Sequence, residues 1–220
     1  MLQNNKLVHL HDKYHKFISD IFSPLVSKIP RKIYNYNVFT ANNITYFRCI
    51  MGVMINVLLK YNYNYSCFYL IFLHDFLDHL DGIVARVQFK NGTNKDDDKD
   101  YGAFIDAQCD KVVFTGISLA LILFRKINKP TLIILIGTII LEVSIFIIRV
   151  KNYYFNKNNN NINKKKLNAV GEGKLKQKCE TLGLCFLSIN YYKTGSVFLL
   201  FAIKYGIKSL IYKLTKNSEK

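Results

Sequence analysis

The sequence predicts an all-α, polytopic membrane protein with six transmembrane helices. Three observations support this fold class: apolar residues gather in six blocks, one block is long enough to cross a bilayer, and basic residues collect on one side of the resulting topology. The blocks run over residues 44–60, 65–89, 102–125, 130–150, 180–193 and 194–213. They are too many and too continuous for the amphipathic helices of a soluble core, so we set a soluble helical fold aside.

The N-terminal residues 1–40 contain neither an apolar run of transmembrane length nor a small-residue cleavage site, so they do not resemble a secretory signal. We expect them to form a basic, amphipathic juxtamembrane segment that lies on the membrane surface. The membrane domain would then extend over 41–213, and residues 214–220 would be a C-terminal tail.

The fourth block, residues 130–150, has the length of roughly 17 to 25 residues that a spanning helix requires. The other blocks are shorter or interrupted by charge, as expected where polar groups serve a purpose inside a helical bundle. Glu142 stands alone in the fourth block, and we expect it to contact another helix, with Lys204 as its partner. Residues 151–170 are rich in Asn and Lys and are expected to form a low-complexity, hydrated loop.

The formal net charge of +16 would by itself suggest a nucleic-acid-binding protein. If the N-terminus is cytoplasmic, however, the connections on that side carry 20 Lys and Arg residues and the opposite connections carry five. This bias agrees with the positive-inside rule and places both termini in the cytosol. The charge therefore indicates topology, and we expect no nucleic-acid partner.

Two pairs of carboxylates interrupt the second and third blocks. Asp78 and Asp81 are three residues apart, and Asp106 and Asp110 are four apart, so each pair lies on one helix face. The two helices are consecutive and therefore antiparallel, which brings all four carboxylates together near the cytoplasmic end. A charge at the bilayer centre costs about 2.5 to 3.5 kcal/mol on insertion scales, so the cluster needs compensation.

Two divalent cations would neutralise four carboxylates, and oxygen ligands favour Mg²⁺ or Mn²⁺. A pair of such ions commonly stabilises the attacking and leaving oxygens in displacement at phosphorus. The residues thus suggest phosphoryl chemistry. A carboxylate-based ion transporter is a second hypothesis, although it would distribute its carboxylates along a path through the bilayer.

The order and spacing of these residues resemble the signature of the CDP-alcohol phosphatidyltransferases, integral-membrane enzymes of phospholipid head-group synthesis. The shared positions are Asp78, Asp81, Gly82, Ala85, Arg86, Gly102, Asp106 and Asp110. Residues 41–48 resemble the start of the family's first helix, with Ala41 in place of Pro. Residues 173–180 resemble the start of the fifth helix in the branch that uses CDP-diacylglycerol, with Gln177 and Glu180 replacing Thr and Gln.

The chain departs from the family pattern between Arg86 and Gly102, where 15 residues form a longer connection than is usual. A rival pattern of Gly92, Asp96 and Asp100 lacks the apolar positions of a membrane helix, whereas Gly102 leads directly into one. We therefore expect the extra residues to form a hydrated loop, which costs little entropy.

The resemblance implies roles for the shared residues. Asp78, Asp81, Asp106 and Asp110 would bind two Mg²⁺ or Mn²⁺ ions, with Asp110 also the general base. The residues implied to bind the nucleotide and donor are Asn42, Thr45, Gly82, Ala85, Arg86 and Gly102. Arg149, Lys174 and Lys176 are candidates for binding an acidic acceptor.

The implied reaction transfers a phosphatidyl group from a CDP-linked donor to an alcohol and releases CMP. CDP-diacylglycerol is the favoured donor, because Asp110 with Lys111 and residues 173–180 resemble the members that use it. Among these members the chain is most similar to phosphatidylglycerophosphate synthase, which implies glycerol 3-phosphate as the acceptor. Phosphatidylinositol synthase and a CDP-ethanolamine or CDP-choline phosphotransferase are the alternatives. The family resemblance also implies a homodimer. We expect membrane lipid as a partner and a location in the endoplasmic reticulum or the mitochondrial inner membrane, with the site on the cytosolic side that the basic residues indicate.

Overall fold

A computed structural model describes residues 6–28, 40–90, 99–158 and 171–218 of the chain. The elements in these ranges are seven α-helices, so the predicted all-α class is confirmed. They are α1 (Lys6–Ser27), α2 (Ala41–Lys60), α3 (Asn64–Lys90), α4 (Lys99–Phe124), α5 (Lys129–Asn158), α6 (Gly171–Ser188) and α7 (Tyr192–Ser218).

Three of these helices are long and apolar enough to cross a membrane, within the ranges that the structure describes. They are Tyr101–Phe124 in α4, Lys129–Phe155 in α5 and Tyr192–Tyr212 in α7. The chain is accordingly an integral membrane protein. The prediction of six spans also needs α2, α3 and α6, which carry more polar residues, and it stays a prediction.

The bounds of three helices differ from the sequence prediction. α7 continues to Ser218, into the segment 214–220 that was predicted to be a tail. α6 begins at Gly171 and ends at Ser188, whereas the fifth apolar block was 180–193; the polar residues before 180 are helical because ion pairs inside the bundle hold them. α5 continues to Asn158, into the segment predicted to be a loop, and the rest of that segment lies outside the described residues.

Short connections set the antiparallel order of neighbouring helices. Asn62 and Asn190 adopt left-handed backbone angles, with φ of 64° and 67°, two residues after the ends of α2 and α6. Asparagine tolerates this region better than most residues, which is why it commonly ends helices. α2 with α3, and α6 with α7, therefore form tight helical hairpins.

The apolar core is divided into two layers with charged residues between them. The larger cluster gathers Ile55 of α2, Ile71 of α3, Ile117 of α4 and Leu184 of α6. The smaller cluster contains residues from the opposite ends of α2 and α3, together with Val26 of α1. On α3, the segment between the two clusters carries Asp78 and Asp81, which form a polar layer. The aspartates of α4 lie where that helix enters the larger cluster.

The N-terminal helix α1 packs one face against this smaller cluster. Ile18 and Phe22 contact it beside Val26. The adjacent face, which carries Phe17 and Ile21, is exposed. Such a two-sided apolar distribution fits a helix that rests on the bundle and meets lipid, and its location on the membrane surface stays a prediction.

α6 and α7 approach each other closely because glycine occupies the contact. A Cβ atom at Gly195 would lie 2.9 Å from the carbonyl oxygen of Gly183 and 2.7 Å from Cγ of Leu187. Small residues that allow backbones to meet are typical of helix pairs in membranes. This contact seats α6, which carries polar residues of the site, against the apolar helix α7.

We predict that Gly195→Ala lowers the free energy of unfolding by about 1 to 3 kcal/mol, because the added methyl group overpacks the interface. Gly137→Ala is the matched control: its Cβ would lie 3.4 Å from Cδ1 of Ile203, an ordinary contact. Since Ala is about 1 kcal/mol more favourable than Gly within a helix, this control should be neutral or stabilising. Thermal unfolding of the purified variants in detergent tests both, and equal stability of the two variants would contradict the prediction.

Candidate functional site

Arg48 of α2 lies at the centre of the polar layer, and its side chain is fully buried. Its Nη1 atom is 2.6 Å from Oδ2 of Asp81 and 2.7 Å from Oδ1 of Asp106. Its Nη2 atom is 2.7 Å from Oδ1 of Asp78 and also contacts Oδ1 of Asp110. One guanidinium group from α2 therefore binds all four aspartates of α3 and α4.

The four aspartates are not equivalent in this arrangement. Asp78, Asp106 and Asp110 each offer a carboxylate oxygen within 4.8 Å of the others, a geometry that could hold a metal ion. Asp81 is outside this group and accepts a second hydrogen bond, at 3.2 Å, from the hydroxyl group of Thr45. Of the four residues predicted to bind metal, the structure thus brings three close enough to share an ion, and the fourth, Asp81, is hydrogen-bonded to Thr45 of α2.

A further donor reaches the site from α6. Nε2 of Gln177 donates to Oδ2 of Asp110 at 2.8 Å and to Oδ2 of Asp78 at 3.1 Å. Asp78 and Asp110 therefore have Arg48 on one oxygen and Gln177 on the other. The site thus takes its residues from α2, α3, α4 and α6.

The charge of this cluster is not balanced by the described residues that surround it. Four carboxylates contact the single guanidinium group of Arg48, and even with Arg149, which interacts electrostatically with Asp106 and Asp110, the formal negative charge exceeds the positive charge. Uncompensated charge is costly in a low-dielectric bundle. Hard divalent cations prefer oxygen ligands, so the donor set and its excess charge fit Mg²⁺ or Mn²⁺.

Two other charged clusters nearby are balanced. Glu142 and Glu180 are matched by Lys111 and Lys176: Lys111 lies 2.9 Å from Glu142, and Lys176 contacts Glu142 and lies 2.8 Å from Glu180. The predicted contact between Glu142 and Lys204 is wrong. Lys204 is exposed, and both oxygens of Glu142 are paired with Lys111 of α4 and Lys176 of α6. In the second cluster, Asp75 is paired with Lys178 at 2.6 Å.

The residues predicted to bind the donor lie around the carboxylates. Gly82 and Ala85 are half-buried on α3, and Arg86 is exposed one turn beyond Gly82. A Cβ atom at Gly82 would be 3.8 Å from Nη1 of Arg86, so the guanidinium group lies over the glycine. Across the site, Oδ1 of Asn42 would be 3.3 Å from a Cβ atom at Gly102, which brings α2 and α4 together.

The residues predicted to bind an acceptor are placed differently from one another. Arg149 of α5 and Lys174 of α6 are half-buried. Lys176 is buried, and its ammonium group pairs with Glu142 and Glu180, so contact with an acceptor would require it to leave both carboxylates. The side chains of the rival pair Asp96 and Asp100 lie outside the described part of the chain.

Sequence reasoning assigned no role to Arg48 or Gln177, although both lie in the segments that carried the resemblance. Arg48 had a signal, because it is an arginine near the start of an apolar block and charges inside a membrane are usually paired. Gln177 had none, because an amide near the start of a polar helix is unremarkable until its neighbours in space are known.

A comparison with protein families identifies a family model that covers most of this chain. The model of the CDP-alcohol phosphatidyltransferase family matches residues 38–208, a range that contains every site residue described above. Neither curated proteins nor solved structures gave a match.

We predict that Arg48→Met lowers the stability of the metal-free protein by about 3 to 5 kcal/mol, because removal of one partner leaves buried charges uncompensated. Added Mn²⁺ should restore part of this loss. Arg125→Met is the control, since Arg125 bonds only amide oxygens in the described structure, including that of Asn62 at 2.6 Å. Thermal unfolding with chelator and with Mn²⁺ measures the effect, and a smaller loss in Arg48→Met than in Arg125→Met would refute it.

Proposed function

Because the chain belongs to the CDP-alcohol phosphatidyltransferase family, a family of transferases for substituted phosphate groups, we propose that it transfers the phosphatidyl group of CDP-diacylglycerol to glycerol 3-phosphate and releases CMP. The observation that carries this proposal is the cluster of Asp78, Asp106 and Asp110, whose oxygens converge without enough positive charge from side chains. Membership of a transferase family leaves the ion-transporter hypothesis without support.

The metal ligands in this proposal are Asp78, Asp106 and Asp110. Asp81 would join them after its carboxylate leaves Arg48 and Thr45. Bound Mg²⁺ or Mn²⁺ would supply charge stabilisation for the attacking and leaving oxygens of an in-line displacement. Asp106 has the most exposed side chain of the four, with 39% accessible, so in this proposal substrate would approach from its side.

Asp110 acts as the general base in this proposal and accepts the proton of the acceptor hydroxyl group. Only 7% of its side chain is exposed. Arg48 and Gln177 hold its two oxygens, and each oxygen keeps a second lone pair that can receive a proton. A carboxylate held in this way stays aimed at one point, which general-base catalysis requires.

The donor would lie along the start of α2 and the end of α3. The small residues Gly82 and Ala85 let the nucleotide approach the backbone of α3, and the exposed Arg86 pairs with a phosphate group through its planar fork. Asn42 and Gly102 close this side of the site where α2 meets α4. Thr45 contributes indirectly, because its hydroxyl group holds Asp81.

The acceptor phosphate would be bound by Arg149 of α5 and Lys174 of α6. Both are half-buried cations, and Arg149 interacts electrostatically with Asp106 and Asp110. Lys176 would contribute indirectly, because its ion pairs with Glu142 and Glu180 hold α6 against α5. Inositol has no phosphate group, so phosphatidylinositol synthesis is the second candidate and makes a different prediction for Arg149.

In the membrane we propose six spans, formed by α2 to α7, with the carboxylates at the cytosolic end. The distribution of 20 basic residues against five supports this orientation. The endoplasmic reticulum, or else the mitochondrial inner membrane, is the proposed location. A homodimer is proposed by analogy with the family.

We predict that purified protein releases CMP from CDP-diacylglycerol when Mn²⁺ or Mg²⁺ is present and loses this activity with chelator. Asp110→Asn should lower the rate by roughly 100-fold or more, the usual contribution of a general base. Asp20→Asn, an exposed aspartate of α1, is the control and should keep the full rate. Failure to release CMP from any CDP-linked donor, or full activity in Asp110→Asn, would exclude the proposed reaction.

We predict that Arg149→Gln raises KM for glycerol 3-phosphate by about 10-fold or more, because it removes a charge-assisted hydrogen bond worth roughly 1.5 to 3 kcal/mol. The control is Arg125→Gln, an arginine that contacts Asn62 between α2 and α3. A panel of glycerol 3-phosphate, inositol, ethanolamine and choline gives the acceptor directly. If inositol is the preferred substrate and Arg149→Gln leaves its KM unchanged, the second candidate replaces the first.

A further inference from the structure

One turn of α6 connects the helices that surround the carboxylates. Lys176 pairs with Glu142 of α5, Gln177 reaches Asp78 of α3 and Asp110 of α4, and Lys178 pairs with Asp75 of α3. Thr181, one turn later, also donates to Asp75, at 3.2 Å. Of these residues, Gln177 is the one whose contacts fall on the candidate metal ligands.

The geometry of Gln177 is that of a bridge. Its Nε2 atom carries two hydrogens, and its two acceptors belong to different helices, at 2.8 Å on Asp110 and 3.1 Å on Asp78. Arg48 holds the other oxygen of each of these two carboxylates. With both oxygens held, neither carboxylate can rotate freely about its terminal torsion.

This arrangement leaves the ligands able to bind a cation. Each carboxylate oxygen has two lone-pair sites, so a hydrogen bond to Gln177 occupies one and leaves the other open. Partners that orient metal ligands in this way typically change metal affinity or activity by 10- to 100-fold when they are removed. The gain comes from preorganisation, since a fixed carboxylate loses less entropy when it binds an ion.

We infer that Gln177 is a positioning residue that sets the affinity of the site for divalent cations by holding Asp78 and Asp110 in one orientation. The inference rests on the proposed function only where that proposal assigns the aspartates as metal ligands. Attachment of α6 to the bundle does not depend on Gln177, because Lys176, Lys178 and Thr181 supply it separately.

The test compares Gln177→Met with Gln108→Met in the full chain, purified in detergent. Methionine keeps the length and the helix preference of glutamine and removes the donor. Gln108 lies on α4 two residues before Asp110, and its amide atoms are buried with no hydrogen-bond partner among the described residues. Both variants therefore replace a glutamine near the site by methionine, but only Gln177→Met removes the hydrogen bonds to Asp78 and Asp110.

The measurement is Mn²⁺ binding, followed by the electron paramagnetic resonance signal of free Mn²⁺ during titration. Gln177→Met should bind Mn²⁺ at least about 10-fold more weakly than the unaltered protein, and Gln108→Met should bind it equally well. CMP release by Gln177→Met should recover as Mn²⁺ is raised to saturation. Unchanged affinity in Gln177→Met, or an equal loss in both variants, would overturn the inference.

A second variant guards against misfolding. Gln177→Asn keeps the amide but withdraws it from the two carboxylates by one methylene group, so the same weakening of Mn²⁺ binding is expected. If both variants fail to fold while Gln108→Met folds, the amide serves the stability of the bundle and the inference is wrong.

The outcome is separable from that of the proposed function. Weaker Mn²⁺ binding in Gln177→Met without CMP release from any donor by the unaltered protein would uphold the inference and refute the reaction. Metal-dependent CMP release by the unaltered protein, together with unchanged Mn²⁺ binding in Gln177→Met, would uphold the reaction and refute the inference.

Discussion

The ion pairs between Arg48 and the four aspartates are the interaction on which the rest of the structure depends. They join α2 to α3 and α4 in the layer between the two apolar clusters, and they put four carboxylates against one cation. Like charges at such separations repel strongly where the dielectric constant is low. The cluster is therefore electrostatically unfavourable by itself, and added positive charge would relieve the repulsion.

The remaining polar contacts can be understood as support for that cluster. Buried ion pairs contribute little net stability, because desolvation offsets much of the attraction between the charges, but breaking one is costly. The balanced groups around Glu142 and Asp75 therefore act mainly as fixed connections between helices. They hold α6 in place, and α6 in turn presents Gln177 to the carboxylates. This explains how a helix with so many charged residues is accommodated in the bundle.

Much of the fold was predictable because apolar periodicity reports directly on helices that must bury their surface. The first, second, fourth and sixth blocks each fall within one helix, and the third extends one residue past the end of α4. The proximity of Asp78 to Asp106 and Asp110 followed from antiparallel neighbours. The start of α6 was predicted too late, because hydropathy cannot show that the charges of Lys176 and Glu180 neutralise each other. The end of α5 was missed for a related reason: Asn and Lys are compatible with both a helix and a loop.

The sequence by itself determined the helical class, the family resemblance and the four aspartates, because spacing along a helix places residues three or four apart on one face. Only the tertiary structure decided which groups complete the site. Arg48 and Gln177 are 129 residues apart in the chain and meet at Asp110. Asp81 lies outside the group of the other three aspartates and accepts a hydrogen bond from Thr45. Such choices depend on how the helices rotate and pack against one another, a property of the whole bundle that no local pattern contains.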